Sequence, residues 1–265
     1  MKSGFRRLIF AVAVLSMMLL VPAPSFATQI SGVLSIGGSS AEVGATFLNF
    51  LCNSTISASC PSGYGNFLVS APVSGSFTPY SGDNGFIHSL SQASQPANTP
   101  FSLANFLIFN PAGTVLPPDI ALDLTFIFLG TQGQAQCLVG PVAGQNCTPA
   151  LPTLITATNP MGLSPFNLQN TQTGSTASFS LAGNARRIST GEISAFSGVF
   201  TAQFTVPYQT YLPTIASGGS VTNSYSATFN ATTIPEPQTT ALVLGGLLVL
   251  LGRVGMRRYN RGRLS

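Results

Sequence analysis

From Ser194 to Val206 apolar and polar side chains alternate with period two. Phe196, Phe200, Ala202, Phe204 and Val206 share one face, and Ser197, Thr201, Gln203 and Thr205 share the other. Val221, Tyr225, Ala227 and Phe229 alternate in the same way with Thr222, Ser224, Ser226 and Thr228. Thr176 to Leu181 and Ile30 to Ile36 carry shorter versions. Ala121 to Leu129 is apolar on both faces apart from Asp123 and Thr125, which predicts a central strand. Phe101 to Phe109 reads likewise, with Asn105 as its one polar break. Gly-, Pro- and Asn-rich clusters separate these runs, among them Gly37-Gly38, Ser81-Gly82-Asp83-Asn84-Gly85, Asn110-Pro111-Ala112-Gly113, Pro117-Pro118 and Asn159-Pro160. Gln209 to Ser217, closed by Gly218-Gly219, predicts one short helix with Gly at its C-terminal end. No internal repeat points to a solenoid or propeller. Many short strands with frequent turns predict an all-β exported domain, an antiparallel β-sandwich or jelly roll, over residues 28–233.

The two ends of the chain follow a different pattern. Lys2, Arg6 and Arg7 precede an apolar run from Leu8 to Val21, then Pro22, Pro24 and the small-residue segment Ser25-Phe26-Ala27. That order predicts a secretory signal peptide over residues 1–27, cut between Ala27 and Thr28. At the other end Pro235-Glu236-Pro237 precedes an apolar segment from Ala241 to Gly252 and the arginines Arg253, Arg257, Arg258, Arg261 and Arg263. The uncharged segment alone is about 18 Å long as a helix, short of the roughly 20 residues that span a bilayer. Extending it over about residues 239–256, with Arg253 snorkelling, closes the gap and predicts one C-terminal transmembrane helix with its basic tail, 257–265, on the cytoplasmic side. A hydrophobic core helix is the plainer alternative, but such a helix does not usually end in clustered arginines.

Charge changes its meaning once these ends are set aside. The whole chain carries +4. Residues 28–234 hold Arg186 and Arg187 against Glu42, Asp83, Asp119, Asp123 and Glu192, a net charge of −3. The basic balance belongs to the ends, and no basic patch remains for nucleic acid. Low charge with abundant Phe, Leu, Ile and Val argues against disorder, and Ser/Thr polar faces suit strands better than an exposed helix.

The motif Pro235-Glu236-Pro237, the short hydrophobic helix and the Arg-rich end together resemble the PEP-CTERM sorting signal, over about residues 234–265. Proteins with this tail are exported by Gram-negative bacteria and processed by exosortase, a membrane-embedded cysteine protease-transpeptidase. The resemblance implies exosortase and the inner membrane as partners. It also implies a membrane-anchored precursor that passes to the cell surface or extracellular matrix. An LPxTG signal would need a motif that Leu212-Pro213-Thr214-Ile215-Ala216 does not supply.

Four cysteines form two close pairs, Cys52 with Cys60 and Cys137 with Cys147. An even count in an exported chain predicts disulfides. Three pairings are open, and local pairing is the simplest because turn residues lie inside each pair. A zinc site is the alternative, without CxxC spacing or a nearby His.

Candidate chemistry is sparse. His88 is the single histidine, so a Ser-His-Asp triad would have to combine it with Asp83, Asp119 or Asp123. No GxSxG, HExxH or P-loop accompanies it, and no cofactor motif occurs. Asp119 and Asp123 lie about 13 Å apart along one strand, beyond either glycosidase geometry. The Ser81–Gly85 cluster has Asp and Asn oxygens for calcium but lacks EF-hand acidity, so a plain turn is the simpler reading. The leading expectation is a non-catalytic structural or adhesive ectodomain, not an enzyme, with extracellular polysaccharide as a candidate partner. The alternative is a polysaccharide- or calcium-binding module, which needs exposed rings such as Tyr64, Tyr80, Tyr208 or Tyr211 for sugar stacking. A secreted hydrolase ranks third.

Overall fold

A computed structural model describes residues 29–110 and 119–233. The expected signal peptide with its Ala27/Thr28 cut, the Pro235-Glu236-Pro237 motif, the C-terminal helix and the basic tail lie outside the described residues. Among the described residues no helix is long and apolar enough to cross a membrane.

The described chain is mostly strand. In order it forms β1 (Gly32–Gly37), β2 (Ser40–Gly44), β3 (Phe47–Phe50), β4 (Tyr64–Ser70), β5 (Asn84–His88), β6 (Leu90–Ser91) and β7 (Leu103–Asn110). There follow β8 (Ile120–Ile127), β9 (Asn146–Cys147), β10 (Asn167–Asn170), β11 (Ser175–Arg187), β12 (Ile193–Phe204), helix α1 (Tyr208–Ala216) and β13 (Ser220–Thr232). The helix sits one residue from its expected position. Ser217 caps it and Gly218, at φ 89°, turns the chain away in a conformation that L side chains rarely adopt.

The sheet closes on itself. β1 pairs with β4, β4 with β5, β5 with β7, β7 with β8, β8 with β11, β11 with β12, β12 with β13, and β13 returns to β1, every pair antiparallel. The expected sandwich or jelly roll is therefore a closed barrel. Alternation reports which face of a strand is buried. A sandwich and a barrel bury that face alike, so the difference rests on the long-range pairing of Gly32 through Ile36 with Ala231 through Ala227.

Three strands outrun the barrel. β11 uses Leu181–Arg187 against β8, while its first residues, Ser175 to Ser178, pair with β10, which in turn pairs with β9. β13 uses Ala227–Ala231 against β1, and its first residues, Ser220 to Ser224, pair with β2, which carries β3 and β6. Two wings thus flare from one end of the barrel, and α1 bridges β12 and β13 at that end. Residues 29–32 and 231–233 lie at the other end, where Gly32 faces Ala231.

Phenylalanine fills the barrel. Phe200 is 2% exposed. It stacks on Phe179 with centroids 4.9 Å apart and 8° between planes, meets Phe106 and Phe229 edge-on, and lies tilted against Tyr225 and Phe50. At the end near the termini a 3-10 turn, Gly75–Tyr80, inserts Phe77 and lays Tyr80 on Phe109 with centroids 4.1 Å apart. Gly183 marks a close backbone approach, because a Cβ there would sit 2.1 Å from the Asp123 carbonyl oxygen, where β11 and β8 shift register. Phe200→Ala should cost about 3–5 kcal/mol of unfolding free energy, the usual toll for deleting a buried aromatic ring. Urea denaturation followed by tyrosine fluorescence would measure it, and a loss below about 1 kcal/mol would contradict the role given to this ring.

Candidate functional site

The structure separates His88 from Asp83, one of the acids that a catalytic triad would need, and commits the ring of His88 to other partners. Asp83 precedes β5 and His88 ends it, about 17 Å away at the rise of a strand. The His88 Nδ1 lies 2.5 Å from the Ser89 carbonyl oxygen, and its ring meets Tyr64 edge-on at 4.8 Å. Tyr64 donates to the Asn105 carbonyl oxygen at 3.3 Å, the Asn105 N–H donates to Asp123 Oδ1 at 2.7 Å, and Arg186 Nη2 donates to Asn105 Oδ1 at 3.0 Å. Asn105 has φ 55° and sits where the β7–β8 register slips. The polar break in that apolar run is a bulge; the Asp123 carboxylate and the Tyr64 hydroxyl satisfy its freed backbone, and the Arg186 guanidinium holds its side chain.

Both aspartates of β8 and its approach are held by arginine. Arg186 Nε meets Asp123 Oδ2 at 2.8 Å. Arg187 reaches Asp119 Oδ2 and Glu192 Oε2, each at 2.9 Å. Asp119 also accepts from the Ser189 N–H at 2.9 Å, which ties the β11–β12 turn to the start of β8. Hydrogen bonding from Ser189, its hydroxyl first and then its N–H, holds the Asp119 carboxyl below the usual range. Arg187 adds to this, and partial burial opposes it. A carboxyl kept ionised in this way does not serve as a general acid at neutral pH. The two arginines of the domain are thus engaged in fastening strands, and Asp119 and Asp123 are their structural partners.

The Ser81–Gly85 cluster is a turn. Gly82 takes φ 83°, the Asp83 N–H donates to the Tyr80 carbonyl, and the Asp83 carbonyl accepts from the Val69 N–H at 2.8 Å. Among the described residues no three His, Cys, Asp or Glu side chains gather for a metal ion. The tyrosines nominated for sugar stacking are mostly inside: Tyr80, Tyr208 and Tyr211 are buried, and half-buried Tyr64 offers its ring to His88.

The cysteines pair locally, Cys52 with Cys60 at 5.9 Å between Cα atoms and Cys137 with Cys147 at 5.1 Å. The first loop is pinned to the barrel by the buried Asn66, whose amide accepts from the Asn53 N–H and donates to the Asn53 carbonyl oxygen, both at 2.8 Å. The second loop is held at the winged end by Asn170. Its Oδ1 accepts from the Tyr208 N–H at the start of α1, and its Nδ2 donates to Gln145 and Gln209. Gln209 in turn donates to the Val139 carbonyl oxygen at 3.1 Å. What this clamp presents is apolar: Leu138 is 95% exposed, and Val139 and Val142 are exposed beside it.

Between the wings lies a cavity of ≈ 120 Å³. Leu48, Phe166, Leu168, Phe204, Leu212 and Ile215 contribute to its walls, and no lining side chain is charged. Burial pushes the phenol of Tyr211, another wall residue, up to about 12, against the hydrogen bond it shares with Ser175 Oγ. Sequence reasoning did not find this site. Its walls come from eight separate strands, a helix and loops, and each wall residue in isolation reads as ordinary core. Comparison with protein-family models, with curated proteins and with solved structures gives no match.

Asp119→Asn should weaken the protein's pH dependence in acid. A carboxyl depressed in the folded state adds stability that is complete above its unfolded value of about 3.9 and is lost as pH falls through the folded one. The wild type should therefore lose stability below about pH 4 more steeply than the variant. Thermal midpoints recorded from pH 7 to pH 2 would show the difference, and parallel curves would refute the assignment.

Proposed function

We propose that the chain is an exported, non-catalytic protein of the bacterial surface or extracellular matrix. Its tail, residues 234–265, serves as an exosortase sorting signal. Its barrel presents an adhesive end away from the membrane. The observation that carries this reading is polarity of layout: residues 29–32 and 231–233 meet at one end of the barrel, and the clamped Leu138-Val139 loop stands at the other. β13 alone has 13 residues, so about 40 Å separates the two ends. A tether leaving at Thr233 would hold the exposed apolar loop outward. Two disulfides suit an oxidising location, and the loop needs its disulfide because it has little core of its own.

The arrangement supports adhesion better than catalysis. Asp119 and Asp123 are engaged by arginine, whereas three exposed apolar residues, Leu138, Val139 and Val142, are gathered on one clamped loop. In this reading contact with extracellular polysaccharide falls to the hydroxyl-rich outer face of β11–β13, where Thr201 and Ser226 share a 2.8 Å hydrogen bond, and not to a tyrosine platform.

Two outcomes follow. Leu138→Ser with Val142→Ser should at least halve cell–cell adhesion without lowering the thermal midpoint, since both residues are exposed; unchanged adhesion would remove the loop from the mechanism. In a cell with a matching exosortase the wild type should lose its C-terminal segment, and replacing Pro235, Glu236 and Pro237 with Ala should leave an unprocessed, membrane-retained form. Intact masses of the two proteins decide the second point. Retention of residues 241–265 by the released wild type, or normal processing of the triple variant, would make the tail an ordinary anchor.

A further inference from the structure

We propose that the cavity between the wings binds a small, neutral, ring-shaped molecule that carries one hydrogen-bond acceptor. Size sets the first limit. At ≈ 120 Å³ the space is close to cavities of about 150 Å³ that stay dry and admit a benzene ring, and far below the roughly 300–1,000 Å³ of sites for larger ligands. A sugar unit with its several hydroxyls would find few partners there, because the walls are almost wholly hydrocarbon. Phe166, Phe179, Phe200 and Phe204 all contribute to the lining, so a flat ring meets ring edges and faces where a thin acyl chain would leave voids.

Charge sets the second limit. No acidic or basic side chain lines the space, and the Tyr211 phenol is held neutral by burial. An anionic or cationic ligand would lose its hydration without a counter-charge. Among the polar residues of the wall, one buried side-chain atom has no hydrogen-bond partner. Gln92, a lining residue, buries its amide nitrogen without a hydrogen-bond partner among the described residues, while its backbone N–H is fixed on the Thr46 carbonyl oxygen at 2.8 Å. A buried donor without a partner is costly, and a ligand carbonyl placed there would satisfy it. The walls are already braced by β-pairing, by α1 and by the Cys137–Cys147 bridge, so little ordering is needed on binding. This inference stands apart from the role of the tail.

Ligand-observed saturation-transfer NMR on the full chain held in amphipol, with empty amphipol as the blank, tests it using toluene, methyl benzoate and benzoate. Methyl benzoate should bind with a submillimolar Kd, at least threefold tighter than toluene and tenfold tighter than benzoate. Ala202→Phe, which places a ring in the cavity, should weaken both neutral ligands at least tenfold. Gln92→Leu should keep toluene binding and abolish the advantage of the ester. The proposal is overturned by the absence of saturable binding up to millimolar methyl benzoate, or by benzoate binding equally well. It is also overturned by a folded Ala202→Phe protein that binds as the wild type does. If Ala202→Phe fails to fold, Gln92→Leu decides alone, and an ester advantage that survives it refutes the assignment of the donor.

Discussion

The antiparallel pairing of β12 on both flanks is the interaction on which the rest depends. β12 lies against β11 from Arg186 to Ser175 on one side and against β13 from Thr232 to Tyr225 on the other. Because β11 and β13 are so supported, each can use one half to close the barrel and the other half to carry a wing. The inward face of β12 then sets the contents of both spaces. Phe196 and Phe200 fill the barrel with Phe229 and Phe179, and Ala202 leaves room where the wings part. One strand's alternation thus determines where the interior is packed and where it is open. Gly198 fits the same logic: a Cβ there would press into the Phe229 ring at 2.6 Å, so a glycine lets the ring reach the centre.

How much of this was legible depends on the range of the interaction concerned. β12, β13 and β11 announce themselves because each has enough residues to show period two, and the predicted inward face is the buried one. Asn105 was visible as an oddity, and its meaning as a bulge required the partner strand. The local cysteine pairs were readable from the turn residues they enclose. β2, β3, β6, β9 and β10 were not, since runs of two to five residues such as Leu90–Ser91 carry no period. Barrel closure was not readable either, because it joins Val33 to Asn230 across nearly the whole domain. The nominated tyrosines failed for a related reason. A Tyr in a polar sequence context looks exposed, yet Tyr208 is wholly covered and uses its hydroxyl to donate to the Gln136 carbonyl oxygen at 2.9 Å.

Ionic groups in the domain do structural work at places where the sheet is irregular. Asp123 and Arg186 secure the bulge between β7 and β8, and Asp119, Arg187 and Glu192 secure the β11–β12 turn against the barrel rim. Glu42 accepts from the Ser220 hydroxyl at 2.6 Å, which fastens the β2 wing where it joins β13. With these charges committed, the outer faces are left to hydroxyls and amides and the inner ones to hydrocarbon. A surface of that kind has weak long-range fields, so its encounters depend on contact area and shape more than on steering. The clamped Leu138-Val139-Val142 loop and the neutral cavity share this logic, since both offer apolar area held in place by amide hydrogen bonds. Asn170 couples them: it anchors the loop through Gln145 and Gln209 while its Oδ1 receives the first N–H of α1, the helix that walls the cavity with Leu212 and Ile215. The loop and the helix that walls the cavity therefore share one anchor, a single side-chain amide at the winged end.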